Sequence, residues 1–187
     1  MSDPQIDAAL QQMDSAYESA VASKGAGAMV DFPPHGEHDV AVVGVNVRTT
    51  SYKPKFDGAP KEGFPAIAVQ FEYIRFCKED DSDWDPERPQ IQFSGKTAIL
   101  ADENTISKLP DNYEQQQKIA HGRIKGLLEC ALGREGGKLS SNIKELQAAI
   151  ASEQTPTMVI FCDQSPNSAG KVYPEEYGRE NTSNAEA

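Results

Sequence analysis

Apolar positions along the chain follow two periods, and the change of period divides it. Over residues 3–23, Ile6, Leu10, Met13, Tyr17 and Val21 recur at helical spacing, which predicts one amphipathic helix. Asp3 stands where an N-cap belongs and Pro4 where a first-turn proline is tolerated. The segment KGAGAMVDFPPHG (24–36) then breaks regular structure with Gly and Pro and reads as a linker. From His38 the period becomes two. HDVAVVGVNVRTTSY (38–52) is Val- and Thr-rich, with Val43, Val45 and Val47 alternating on one face. Gly44 inside it predicts a bulge or sharp bend. KPKFDGAPKEG (53–63) is a hairpin tip, and FPAIAVQFEYIRF (64–76) is a second strand with Ile67, Val69, Phe71 and Tyr73 on one face. KEDDSDWDPERP (78–89) is a loop, and QIQFSGKTAIL (90–100) is a third strand.

The helical period returns after residue 103. Asp111 with Glu114 three residues later predicts a capped helix near 112–132, with Ala120, Ile124, Leu127, Leu128 and Ala131 as its apolar stripe and Gly133 as its stop. Asn142 with Glu145 repeats the capping pattern before Ile143, Leu146 and Ile150. TPTMVIFCDQS (155–165) is again a strand, and a turn with a short extended piece follows. This order predicts a mainly β (α+β) fold. It is a five-stranded barrel of the oligonucleotide-binding (OB) type, with a helical insertion at about 103–153 before the last strands, plus the N-terminal helix. A sandwich fits less well, because it needs about seven strands. The expected organisation is a helix and linker over 1–35, a barrel domain over 36–177 and a disordered polar tail over 178–187.

Charge changes the picture more than composition does. The 187 residues carry 29 acids and 18 bases, a net charge of −11. That excludes a uniformly cationic nucleic-acid coat but not a local basic groove. The negative charge is concentrated: residues 1–31 sum to −4, 79–87 to −6 and 172–187 to −3, whereas 38–76 sum to +1 and 88–100 to +2. The strand-forming body is therefore mildly basic. Blocks of like charge are ordinarily solvated segments; these can also repel or mimic a polyanion. No apolar run reaches the roughly 18 residues of a membrane helix, and the N-terminus lacks the order of a secretory signal. Cys77, Cys130 and Cys162 are odd in number and far apart, which predicts buried thiols in a cytoplasmic protein rather than a disulfide framework.

Catalytic signatures are absent. The sequence holds no GxxxxGK[ST], HExxH, CxxC or GxSxG. His35 and His38 lie in a loop with only Glu37 and Asp39 as further ligands, so neither a metal nor any other cofactor is expected. His121, in mid-helix, reads as a surface or boundary residue. What the chain does carry is aromatic residues interleaved with bases. Arg48, Tyr52, Lys53, Lys55 and Phe56 run through the first hairpin, and Tyr73, Arg75 and Phe76 end the second strand. Trp84 and Arg88 flank the acidic loop, Lys96 lies on the third strand, and Lys171 and Tyr173 lie near the last one. Unpaired bases stack on aromatic faces while cations follow the phosphates, and this residue pattern suits that chemistry. For single residues the plainer reading competes. Phe71 and Phe93 read as core, Tyr73 as core or boundary, and Trp84 among acids as a loop anchor.

The layout of a Val-rich strand, a basic hairpin tip, EYIRF, a capped helix closing LLECALG, a returning strand and a polar acidic tail resembles phage-encoded single-stranded DNA-binding proteins with an OB fold. The resemblance covers about residues 36–177. It implies sequence-independent single-stranded DNA binding during replication or recombination in the host cytoplasm, without catalysis, with residues 48, 52, 53, 55, 56, 75 and 96 lining the groove. Such families often end in a dense acidic run that recruits replication or recombination proteins. Here EEYGRENTSNAEA is only −3, so the 79–87 loop is the other candidate for recruitment. The N-terminal helix reads either as packing on the barrel or as a contact for self-association. Two further classes compete with DNA binding: a protein-interaction or virion adaptor with an acidic surface, and an enzyme-accessory domain.

Overall fold

The structure, a computed structural model, describes residues 3–22, 36–76, 92–152, 156–163 and 175–178. For residues 36–39, 73–76, 92–96, 159–163 and 175–178 the description is of the backbone. The elements are α1 (Pro4–Ser19), β1 (Gly36–Tyr52), β2 (Phe64–Phe76), β3 (Gln92–Ala101), α2 (Glu103–Ile106), α3 (Asp111–Leu132), α4 (Leu139–Ala151), β4 (Thr157–Asp163) and β5 (Glu175–Gly178). Every strand pairing is antiparallel, in the order β3-β2-β1-β4-β5.

One face of the sheet carries the core. Val40, Val42 and Val45 of β1, Ile67, Val69 and Phe71 of β2, and Ala98 and Leu100 of β3 are buried against Ile124, Leu127 and Leu128 of α3 and Leu139, Ile143 and Leu146 of α4. The register slips between Val42 and Gly44. This is the bulge that Gly44 predicts, and it has a consequence for the valines. Val45 and Val47 pack inward, but Val43 is the extra residue and stays half-buried. A Cβ at 44 would meet Glu72 Oε2 at 2.7 Å, so a larger residue there would require the Glu72 carboxylate to turn aside.

Helix α1 is part of this core. Leu10, Met13 and Tyr17 are buried in it, and its polar side groups hold α3 and α4 in place. The Asp14 carboxylate accepts from Ser140 N (2.8 Å) and Ser140 Oγ (2.7 Å), capping the first turn of α4 from another helix. Asn142 Nδ2 donates to the Tyr17 hydroxyl (3.0 Å) and to Gly136 O (2.9 Å). Lys125 Nζ donates to Glu18 O and Ala20 O at the C-terminal end of α1, where carbonyls lack helical partners. Of the two readings of this helix, packing is what the structure displays. Asn142 does not cap α4, because it lies inside the helix, fully buried. Likewise α3 begins after Pro110 with no side-chain cap, while Gly133 at φ 64° ends it.

The expected barrel is overturned. The sheet is open, with a body formed by β1–β4 and a four-residue β5 at its end. The mainly β balance is overturned as well: among the described residues the helices, of 16, 4, 22 and 13 residues, take slightly more chain than the strands. The physical reason for the missing closure lies on the outer edge of β3. Gln117 Oε1 accepts from Ala101 N (2.9 Å) and Gln117 Nε2 donates to Ile99 O (3.1 Å), so its amide stands where a closing strand's peptide group would be. His121 Nε2 lies 2.8 Å from Ala101 O on the same edge. Both side chains are buried, so α3 covers the C-terminal end of an edge that a barrel would pair. His121 is accordingly a core residue and not a surface one.

Candidate nucleic-acid interface

The sheet face opposite the core is mixed in polarity and partly open, with Ala66 and Ala68 buried on it. Register sets Asn46, Arg48, Thr50 and Tyr52 of β1 beside Gln70, Ala68, Ala66 and Phe64 of β2, with Thr97 and Ile99 of β3 in the neighbouring rows. Asn46, Arg48, Thr97 and Ile99 are exposed on it. Asn46 Nδ2 donates to Glu72 Oε1 (3.0 Å), so Glu72 is occupied within this face. The face leads into the β1–β2 tip, whose path depends on two turns closed by Ala59 N to Phe56 O (3.1 Å) and Gly63 N to Pro60 O (3.0 Å). Gly63 sits at φ 82°, and a Cβ there would come within 2.6 Å of Tyr52 O, so glycine is required.

The tip is cationic and aromatic. Lys53, Lys55 and Lys61 are exposed, as is Arg48 on the strand below, against the acids Asp57 and Glu62. The described residues form ion pairs at Lys118–Glu114, Arg134–Glu145 and Lys144–Asp7. Arg48, Lys53, Lys55 and Lys61 have no carboxylate partner among the described residues. Phe56 is half-exposed, with its ring centroid 5.8 Å from that of Tyr113 at an interplanar angle of 43°. The Tyr113 hydroxyl donates to Lys55 O (2.5 Å). Tyr52 is half-buried, and its hydroxyl shares a hydrogen bond with the Gln117 amide. Burial raises its pKa, the Gln117 bond partly offsets this, and Tyr113 adds to the rise.

Of the sequence-predicted site, the structure brings Arg48, Tyr52, Lys53, Lys55 and Phe56 to one end of the sheet. Tyr73, Arg75 and Phe76 are placed by backbone register opposite Val42, Val40 and Asp39, toward the other end of β2. Lys96 falls in the irregular stretch of β3 between Ser94 and Thr97. Arg88, Lys171 and Tyr173 lie outside the described residues, as do Trp84, the 79–87 acidic block, the 24–35 linker and the 179–187 tail. Sequence reasoning missed Tyr113 and Gln117, which reach the tip from α3. Their position one helical turn apart was readable, but nothing local to α3 pointed to the hairpin.

Other chemistry is sparse. Among the described residues no three His, Cys, Asp or Glu side chains lie together as metal ligands. The glycine-rich α3–α4 turn opens a helix, but the Ser140 amide in its first turn already binds Asp14, which disfavours an anion there. No described helix is long and apolar enough to cross a membrane. Comparison of the chain with protein-family models, with curated proteins and with solved structures found no match.

Proposed function

We propose that the chain binds single-stranded DNA without reading its sequence, through the β1–β2 tip and the open sheet face beneath it. The observation that carries this reading is the group of Arg48, Lys53, Lys55 and Lys61. All four are exposed, lack carboxylate partners among the described residues, and stand beside the half-exposed Phe56 and Tyr52. The cations track the backbone phosphates. The rings stack on bases, and because every base has a π-face no base need be specified. The protein acts here by holding DNA rather than by transforming it.

The net charge of −11 favours a second reading, a protein-interaction adaptor that uses the same open face. Fluorescence polarisation with labelled oligo-dT across salt concentrations separates the two. Four phosphate contacts predict a log–log slope of about −2 to −3 on a single strand. Binding that is undetectable, or indifferent to salt, favours the adaptor. Competition by duplex DNA at equal strength would remove the single-strand preference.

A further inference from the structure

Tyr113 is held in a way that its position in α3 alone does not explain. It lies in the first turn of the helix, with its amide donating to Pro110 O (2.9 Å). Its side chain leaves the helix to meet the hairpin tip. The hydroxyl donates to Lys55 O at 2.5 Å, and the ring faces Phe56 at 5.8 Å between centroids. One turn further on, Gln117 reaches the Tyr52 hydroxyl. Rings from the end of β1, from the tip and from α3 therefore gather at one place. None of the three is fully buried, unlike Tyr17 and Phe71 in the core. Aromatic groups whose role is packing would be expected to lose their solvent exposure more completely.

The tether has a mechanical meaning. The tip is an eleven-residue connection with positive-φ glycines at 58 and 63, and its own turns close only short segments of it. The Tyr113 hydroxyl fixes the carbonyl of Lys55, and so fixes the residue that bears one phosphate-facing cation next to the residue that bears one stacking ring. A platform ordered before binding loses less entropy when a base arrives.

We infer that Tyr113 is a base-contacting residue of the single-strand site, forming with Phe56 a two-ring platform that joins α3 to the hairpin. This rests on the reading of the tip as the DNA site. The test uses the full chain and an oligo-dT in which single thymidines are replaced by 5-bromodeoxyuridine, irradiated after binding and mapped by mass spectrometry. Adducts are expected on both the Phe56 and the Tyr113 peptides. Tyr113→Ala, checked for retained helix by circular dichroism, should weaken oligo-dT binding by roughly 5- to 150-fold, the range of one lost stacking contact, with the salt slope unchanged. Tyr113→Phe, which keeps the ring, should lose less than about a third of that range on a logarithmic scale. Adducts confined to the hairpin peptide, or a Tyr113→Ala affinity within twofold of wild type, overturn the inference while leaving the DNA site standing. Failure of the wild-type chain to bind oligo-dT at any salt overturns the site reading, and this inference with it.

Discussion

The helical layer and the hairpin tip treat their polar groups in opposite ways. In the layer, several charges are satisfied internally, although Arg123 Nε is buried without a hydrogen-bond partner among the described residues and Lys108 and Lys138 stay exposed. Lys118 pairs with Glu114, Arg134 with Glu145 and Lys144 with Asp7, while Lys125 serves two carbonyls at the end of α1 and lies 5.7 Å from the Tyr17 ring centroid. Asp14 and Asn142 are buried and hydrogen-bonded to partners on other elements. At the tip, cations and rings stand exposed or half-exposed, and the ties to α3 are the Tyr113 bond to Lys55 O, the Phe56–Tyr113 ring contact and the Gln117 bond to Tyr52. Groups with internal partners hold the fold, and groups without them are free to hold something else. The difference predicts that mutations in the two regions separate stability from binding.

The largest effect should come from Tyr17→Ala. The ring is fully buried and its hydroxyl accepts from Asn142, so the change should cost about 3–5 kcal/mol. A urea midpoint measures it, and oligo-dT affinity where both proteins are folded should be unchanged. A loss below about 1 kcal/mol would detach α1 from the core. Next is Phe56→Ala. Its ring is half-exposed, so stability should move little, while oligo-dT affinity should fall by about 1–3 kcal/mol at constant salt slope. The reverse result would make Phe56 a packing residue. Asp14→Ala follows, since it removes the cap that crosses from α1 to α4. It should cost about 0.5–2 kcal/mol of stability and no binding.

The smallest effect near neutrality is from pH. Burial holds the His121 pKa below its ordinary 6.5, with the bond to Ala101 O partly offsetting this. The unfolded chain then takes up the proton first. The stabilising contribution is complete above pH 6.5 and is lost as pH falls through the lower folded value. Melting temperatures from pH 8 to 5 should decline, and His121→Gln should flatten the decline even though it lowers the starting point. At the alkaline end, burial pushes the Tyr17 pKa up to about 12, against the Asn142 hydrogen bond that lowers it. An unfolded tyrosine ionises near 10, so stability should fall as pH rises above 10, and Tyr17→Phe should remove that fall.

What could be read from the sequence was local. The spacing of Leu10, Met13 and Tyr17 marks α1, Ile67, Val69 and Phe71 mark β2, Gly44 marks a bulge, and Gly133 marks the end of α3, because each follows from neighbours within a turn or a pleat. What could not be read was the behaviour of single polar residues across long separations. Asn142 resembles a cap by spacing, but its partner Tyr17 is on another helix. Gln117 and His121 resemble an ordinary helix surface, yet they are buried and bond the β3 edge at Ile99 and Ala101. Strand number and order suggested closure, whereas two side chains on α3 occupy the end of the β3 edge. At the site, Arg48, Lys53, Lys55 and Phe56 could be picked out because basic and aromatic residues alternate in one short stretch. Tyr113 could not, because only the fold brings α3 to the tip.

The central claim is that the exposed cations of the tip, and not cations in general, bind the polyanion. The measurement that tests it is the salt dependence of oligo-dT binding for the wild type, for Lys53→Glu with Lys55→Glu, and for Lys108→Glu with Lys138→Glu, a matched pair of exposed lysines on the helical side. The account predicts a steep wild-type slope, a hairpin variant that binds more weakly with a slope shallower by about 1.4, and a helical-side variant within a few tenths of wild type in slope. Equal changes in the two variants, or none in either, would contradict it.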